Sequence, residues 1–290
     1  MIITANAKIN LTLDITGVRA DGYHDLSTVM QSLSLSDELE ITERNDSEIK
    51  LYCDKEGIPT DSRNTVYKAA ERLLNFAKLN KGVDIKIKKK IPSEAGMGGG
   101  SADAAAALEG IKKLFDIDIP EVELYKIATS VGADVPFCLH GGTCLCEGIG
   151  EKMTELKPLP ECTIVVCKPP VGVSTGKAYS ETDKAPQTEF GKTDKLCDLL
   201  NLENSDIKEI SKQISNRFDE VLNIEEVQKI KKTMVDFGAL SSCMTGSGSA
   251  VFGIYDKNFV IDDNLTDSLK KLGSVFITKP VSRVNSIENL

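Results

Sequence analysis

The sequence predicts an α+β protein of two domains, a β-rich N-terminal half followed by a half in which strands and helices intermix. Three observations predict it. The chain opens on a period-two alternation of apolar and polar residues, strand and helix periodicities then alternate in both halves, and 290 residues leave room for two domains of ~150. Hydrophobic residues at 41% and charged residues at 27% are ordinary for a folded globular chain and too apolar for general disorder.

In residues 2–13, Ile3, Ala5, Ala7, Ile9, Leu11 and Leu13 alternate with Thr4, Asn6, Lys8, Asn10 and Thr12, the signature of a half-buried strand. Lys8 and Asn10 therefore share a face. Gly17–Gly22 is turn-like, and Leu26–Leu35, Leu39–Ile41 and Ile49–Tyr52 read as further strands. After Asn64 or Thr65 as N-cap, Val66, Ala69, Ala70, Leu73, Leu74 and Ala77 recur at helical spacing. Val83–Lys90 alternates again, Ile91-Pro92 ends that strand, and the run from Gly96 to Ser101 opens an Ala-rich helix over roughly 102–115.

A helix over about 121–131 leads through Gly132 to Ala133-Asp134-Val135-Pro136-Phe137, with strands expected near Thr143–Cys146 and Thr163–Cys167. The Pro169-Pro170 turn is a candidate domain boundary. Residues 180–195 are mostly polar and read as a mobile loop, after which helical patterns dominate to about 237. A glycine turn at Gly246-Ser247-Gly248-Ser249 runs into a strand through Phe252, then a polar helix and a strand at Val275–Lys279.

Charge and composition exclude whole classes of function. Lys and Arg number 35 against 44 acidic residues, a net charge of −9, with 5% aromatics and no Trp. Nucleic-acid binding needs a basic field and aromatic platforms, so it is not expected. No run approaches the ~20 apolar residues that span a bilayer, and Asn6, Lys8 and Asn10 interrupt any apolar leader. A cytoplasmic protein with no membrane partner is expected, its eight dispersed cysteines reduced. Cys144 and Cys146 share one strand face, but without a CxxC pair and with two histidines in the chain they read as small buried hydrophobes rather than metal ligands.

The loop Gly96-Met97-Gly98-Gly99-Gly100-Ser101 is the most informative local feature. Glycines let backbone amides approach an anion, and the following helix presents unpaired N–H groups and its positive dipole end, so phosphate is the natural ligand. A tight turn with close helix packing is the plainer alternative. Gly172 to Ala178 lacks the Walker spacing, and neither glycine run has the third glycine of a dinucleotide fingerprint. Gly246–Ser249 is equally an anion nest or a connection. Asp134, after a helix and before Val135-Pro136, could orient a substrate hydroxyl or merely cap backbone amides. Lys8 could neutralise a transferring phosphoryl group or be a solvated strand lysine. Tyr23-His24 offers an aromatic face and an imidazole, either a nucleobase pocket or an amphipathic turn.

Taken in order, Ala7-Lys8-Ile9-Asn10-Leu11, Asp21-Gly22-Tyr23-His24-Asp25-Leu26, the run from Ile91-Pro92 through Ala95 and Gly96 to Ala104, Gly132–Phe137 and Met244–Phe252 resemble the GHMP small-molecule kinase superfamily over nearly the whole chain. The resemblance implies a phosphate-loop domain over 1–160 and a second α+β domain over 161–290, with ATP and acceptor in the cleft between them. It implies ATP-dependent phosphorylation of the 2-hydroxyl of 4-diphosphocytidyl-2-C-methyl-D-erythritol, a step of non-mevalonate isoprenoid synthesis, with Mg²⁺ expected beside ATP.

By motif, Asp134 and Lys8 match the catalytic pair, with Asp134 orienting the hydroxyl and accepting its proton late. Asn10 would bond the acceptor polyol. Tyr23 and His24 match the residues that grip cytosine, with Tyr179 as a second aromatic face and Thr175 touching the same ligand. Pro92, Ser93, Glu94, Ala95, Gly96, Met97, Gly98, Gly99, Gly100, Ser101 and Ala102 would wrap the ATP phosphates, and Asn64 and Lys88 would contact the adenosine. Glu94 departs from the family pattern and would repel triphosphate if its carboxylate pointed inward. Met97 stands for a frequent Leu and Ala102 for a frequent Ser. A monomer or weak homodimer is expected. A kinase for a non-nucleotide alcohol, a nucleotide sensor without transfer, and an interaction protein stay open as other readings.

Overall fold

The computed structural model describes residues 1–185, 190–282 and the backbone of 287–288. The N-terminal half comprises β1 (Ile2–Val18), β2 (His24–Arg44), β3 (Ile49–Cys53), α1 (Thr65–Phe76), β4 (Gly82–Lys88), α2 (Gly99–Leu114), α3 (Glu121–Val131), α4 (Val135–His140), β5 (Thr143–Gly148) and β6 (Lys152–Glu155). The C-terminal half adds β7 (Cys162–Lys168), α5 (Thr175–Lys184), α6 (Lys192–Asn201), α7 (Ile207–Ser211), β8 (Ser215–Asn216), α8 (Arg217–Leu222), α9 (Glu225–Asp236), β9 (Ser241–Met244), β10 (Val251–Asp256), α10 (Asp263–Lys270), β11 (Ser274–Thr278) and β12 (Ile287–Glu288).

Two sheets organise these elements. The first runs β12-β1-β2-β4-β3, with β5 on β2, β6 on β5 and β8 on β1; the second runs β11-β7-β10-β9. They part between β6 and β7, so Pro169-Pro170 follows the first strand of the second sheet rather than separating the sheets. β8 and β12 return from the C-terminal half to β1, tying the halves together.

The polar stretch Ser36-Asp37-Glu38 suggested two strands where the structure has one continuous β2. Asp37 lies fully buried, its carboxylate bonded by Lys89 and by the amides of Lys90 and Ile91, so its charge is answered and the strand continues. Of the loop expected over 180–195, residues 180–184 are the end of α5, anchored by buried Ala178 and Thr182, and residues 192–195 are the first turn of α6, anchored by buried Thr193; residues 186–189 lie outside the described residues. The apolar run in β7 belongs to a strand covered on both faces. Ile164 and Val166 enter the core shared with β1, α1 and α2, while Val165 and Cys167 pack with α9 and α10. Cys144 and Cys146 are fully buried on β5, and all eight cysteines are free thiols. No helix among the described residues is long and apolar enough to cross a membrane.

Candidate active site

A cleft of about 1180 Å³ is lined from both halves of the chain, by Lys8, Asn10, His24, Gly98 and Asp134 from the first and by Tyr179 among others from the second. Its floor begins where β4 ends. Gly96 (φ +72°) and Gly98 (φ +68°) take the left-handed backbone that side chains disfavour. Space adds a second constraint: a Cβ on Gly96 would collide with the Thr245 carbonyl, and one on Gly98 would lie 3.0 Å from Lys8 Cγ.

Gly98 is the N-cap of α2, which starts at Gly99 rather than near 102. The early start has tertiary support. Gly99 sits against Ile91, and Thr65 Oγ1 donates to the Gly100 carbonyl at 2.8 Å. Among the described residues no side chain caps α2, and its first turn holds no acid, so the first-turn amides and the positive helix end remain for an anion.

Lys8 is buried on β1 between two register shifts that flank the Lys8–Asn10 segment. The irregularity turns the Lys8 amide from β2 to the Met97 carbonyl at 3.0 Å, joining strand to glycine loop. Lys8 Nζ donates to Asn10 Oδ1 at 2.7 Å and pairs with Asp134 Oδ2 at 3.2 Å. Side-chain exposure is 4% for Lys8 and 31% for Asp134, so the ammonium is sheltered while the carboxylate reaches the cleft. Asp134 occupies the N-cap position of α4 without making a cap bond. Its capping alternative is thereby answered: the carboxylate turns to Lys8.

Asn10 is spent largely inside the protein. Its Oδ1 accepts from Lys8, its Nδ2 donates to Thr28 Oγ1 at 2.8 Å, and its amide donates to Thr245 Oγ1 at 3.0 Å. One side-chain N–H is left for an acceptor hydroxyl.

The other end of the cleft is aromatic. His24 stacks on Tyr179 with centroids 4.4 Å apart, Tyr179 meets Phe218 edge-on at 5.0 Å, and His24 Nε2 lies 2.7 Å from Asp183 Oδ1. Burial, aided by Asp134, pushes the Tyr179 hydroxyl up to about 12, so it stays a neutral donor. Tyr23 lines the same space but is 62% exposed, leaving its ring free at the rim.

Lys8, Asn10, Tyr23, His24, Glu94, Gly96, Gly98, Ser101, Asp134, Thr175 and Tyr179 thus meet in one cleft. The remaining expected residues do not line it. Ala95, Met97 and Ala102 are buried, Pro92, Gly99 and Gly100 shape the loop and helix start, and Ser93 is exposed. Asn64 caps α1 through the Val66 amide at 2.9 Å, and Lys88 is an exposed residue at the end of β4.

The second glycine turn locks onto the first loop. Thr245 Oγ1 donates to the Gly96 carbonyl at 3.3 Å, the Ala250 amide donates to the Ala95 carbonyl at 3.3 Å, and Ser247 meets Thr175 at 3.0 Å. Sequence reasoning left this turn undecided and missed Asp183 and Phe218 altogether, because neither carries a local signal.

The chain matches the model described as GHMP kinases N terminal domain over residues 64–142 and that described as GHMP kinases C terminal over 199–273. It is 41% identical over 283 residues to a 4-diphosphocytidyl-2-C-methyl-D-erythritol kinase of Clostridium beijerinckii, covering 97% of this chain and 100% of that relative. The chain belongs to the GHMP kinases. A crystal structure of a 4-(cytidine 5'-diphospho)-2C-methyl-D-erythritol kinase superposes on this GHMP kinase with a TM-score of 0.77 at 28% identity, covering 97% and 99% of the two chains. A homoserine kinase from Cytophaga hutchinsonii reaches the same TM-score of 0.77 at 18% identity, over 99% and 96% of the chains, a likeness of fold alone. The backbone is therefore shared across GHMP kinases with different acceptors, and acceptor choice lies in the side chains that line the cleft.

Proposed function

We propose that this GHMP kinase transfers the γ-phosphoryl group of ATP to the 2-hydroxyl of 4-diphosphocytidyl-2-C-methyl-D-erythritol, giving the 2-phosphate and ADP in the non-mevalonate route to isoprenoid precursors. One observation carries the reading: the Lys8–Asp134 pair shares a single cleft with the uncapped start of α2 and the His24–Tyr179 aromatic end. Donor, reacting hydroxyl and nucleobase each have a chemically matched partner.

Gly96 to Ser101 hold the triphosphate through backbone amides, Ala102 closes the first turn by donating its own amide to the Gly98 carbonyl at 2.8 Å, Glu94 and Ser101 line the cleft, and Pro92, Ser93 and Ala95 set the loop's approach. Asp134 accepts a hydrogen bond from the acceptor hydroxyl and takes its proton as the new O–P bond forms. Lys8, held by Asn10 and Asp134, places a fixed positive charge beside the transferring group, where charge spreads over the phosphoryl oxygens. Asn10 is chiefly a positioning residue for Lys8, its spare N–H reaching the polyol. Tyr23, His24, Thr175 and Tyr179 receive the cytidine, and a stacked aromatic partner contributes about 1–3 kcal/mol per base. Asn64 and Lys88 remain the proposed adenosine contacts, Asn64 through the α1 start that it caps.

Among the described residues no group of three or more His, Cys, Asp or Glu side chains is placed to cage a metal. Mg²⁺ brought with ATP would be held by Asp134, whose carboxylate reaches the cleft. When bound, it neutralises charge on the phosphate oxygens. We further propose the domain division 1–160 and 161–290, supported by the parting of the sheets, a cytoplasmic location, supported by eight free thiols, and a monomer or weak homodimer.

The test is ADP release by purified protein with Mg-ATP and 4-diphosphocytidyl-2-C-methyl-D-erythritol, beside homoserine, mevalonate, galactose and no acceptor, with Asp134→Asn in parallel. Turnover with the cytidine-linked alcohol, falling at least 100-fold in Asp134→Asn, is expected. Turnover with another alcohol alone would overturn the acceptor, and full activity in the variant would overturn the role of Asp134.

A further inference from the structure

Beneath the glycine-rich loop lies a charged cluster that the transfer mechanism does not use. Lys89 Nζ pairs with Asp37 Oδ2 and, at 2.7 Å, with Asp103 Oδ2; the three side chains are 5%, 0% and 4% exposed. They come from three places that matter to the loop. Asp37 is on β2, Lys89 is where the chain leaves β4 toward the loop, and Asp103 is in α2, just beyond the helix start where the loop ends. Asp37 Oδ1 also accepts from the amides of Lys90 and Ile91, at 2.5 and 2.8 Å. Gly99 lies directly over the ammonium, since a Cβ there would be 3.4 Å from Lys89 Nζ.

We propose that Lys89 and Asp103 are positioning residues for the phosphate donor, a clamp that ties the entry of the glycine-rich loop to its exit through Asp37. This rests on the reading of that loop as the triphosphate cradle. The loop's glycines give it many conformations, and presenting first-turn amides to an anion requires one of them. Ion pairs at both ends reduce that freedom before ATP arrives.

One plain structural reading is that the cluster merely offsets a buried charge. Two features go beyond it. The cluster is not neutral, with two carboxylates against one ammonium, and Asp103 Oδ1 is buried with no hydrogen-bond partner among the described residues. Burial, with the help of Asp37 and against the pull of Lys89, raises Asp103 to about 7. Burial also pushes the Lys89 ammonium down, but attraction to Asp103 and Asp37 more than reverses this, so Lys89 keeps its charge while Asp103 titrates. The groups acting on Asp103 are Lys89 from the β4 exit and Asp37 from β2; the Cys138 thiol of α4 senses it, together with Asp134 and Lys8. The ionised carboxylate attracts Lys89 most strongly and closes the clamp, so protonation loosens it.

The test measures the Kd of a non-hydrolysable Mg-ATP analogue by calorimetry, without acceptor, for wild type and Asp103→Asn at pH 6 and pH 8. Titration of the ligand itself cancels in the ratio of variant to wild type. At pH 8 the variant is expected to bind 3–10-fold more weakly, and at pH 6 the ratio closes to within about twofold. Its kcat with saturating ATP stays within about twofold, since Asp103 touches no reacting atom. An equal ratio at both pH values, or equal affinity at pH 8, would overturn the proposal. In wild type alone, hydrogen exchange of the loop amides 93–98 through local opening that leaves Asp103 buried in α2, corrected for intrinsic rates, is expected to show more opening at pH 6 than at pH 8; unchanged protection overturns the clamp without any variant. Binding without acceptor separates this result from the identity of the alcohol: a tight pH-dependent Kd with no turnover would fault only the acceptor assignment.

Discussion

Glu94 holds a left-handed backbone, φ +51°, in the loop assigned to the triphosphate, and its carboxylate reaches the opposite wall, where a Cβ on Gly172 would lie 2.8 Å from Glu94 Oε2. It also faces Lys168, whose ammonium burial pushes down and Glu94 partly supports, while Nζ donates to the Pro169 and Val171 carbonyls at 2.8 and 3.0 Å. Two terms meet at this residue. Left-handed backbone costs a non-glycine residue about 1–2 kcal/mol, and glycine loses about 0.4–1 kcal/mol through its freer unfolded chain, so Glu94→Gly is expected to leave stability unchanged or raise it by up to about 1.6 kcal/mol. The charge has no such offset. Removing a carboxylate from a cleft that receives triphosphate is expected to tighten Mg-ATP binding several-fold, measured by calorimetry at low salt; unchanged affinity would show that Glu94 lies outside the phosphate field. The residue was legible in the sequence as a departure from its family. Its direction was not, because Gly172 is 78 residues away along the chain.

At the scale of elements, the second glycine turn is held by Asn216, whose Nδ2 donates to the Met244 and Gly246 carbonyls at 2.7 and 2.8 Å while Oδ1 caps α8 through the Phe218 amide at 2.9 Å. Losing the cap costs about 1 kcal/mol, and stranding two buried carbonyls adds about 1–3 kcal/mol. Asn216→Ala is therefore expected to lose about 2–4 kcal/mol in urea unfolding and to weaken ATP binding, since the turn it supports packs on Gly96. A loss below about 1 kcal/mol would mean that water replaces the side chain. The helices and most strands were readable because their periodicity reflects local burial, as in α1, α3 and β7. The join of two apparent strands into β2 was not, because it depends on Lys89 answering Asp37 from 52 residues away.

For the molecule as a whole, the clamp beneath the loop sets a pH dependence of stability. The folded-state value of Asp103 is raised to about 7 from 3.8, so its contribution is fully present below the unfolded value and is lost as pH rises through about 7. Asp103→Asn lacks this dependence. Its melting temperature relative to wild type is expected to rise between pH 4 and pH 8 in differential scanning calorimetry; parallel pH profiles would show that Asp103 titrates normally. The ionised cluster is then the firmer clamp locally and the costlier state for the fold, because burying the third charge opposes folding while its attraction to Lys89 fixes the loop.

The sequence by itself determined the α+β class, the glycine loop opening a helix, the Lys8 and Asp134 candidates and the family resemblance, because these are written in local spacing and residue type. Tertiary structure alone decided that Asp134 turns to Lys8 instead of capping α4, that His24 stacks on Tyr179 beside Asp183, and that the two glycine turns interlock. Each of these joins residues far apart in the chain. A charge or ring finds its partner through burial and packing, and neither is encoded in the few residues around it.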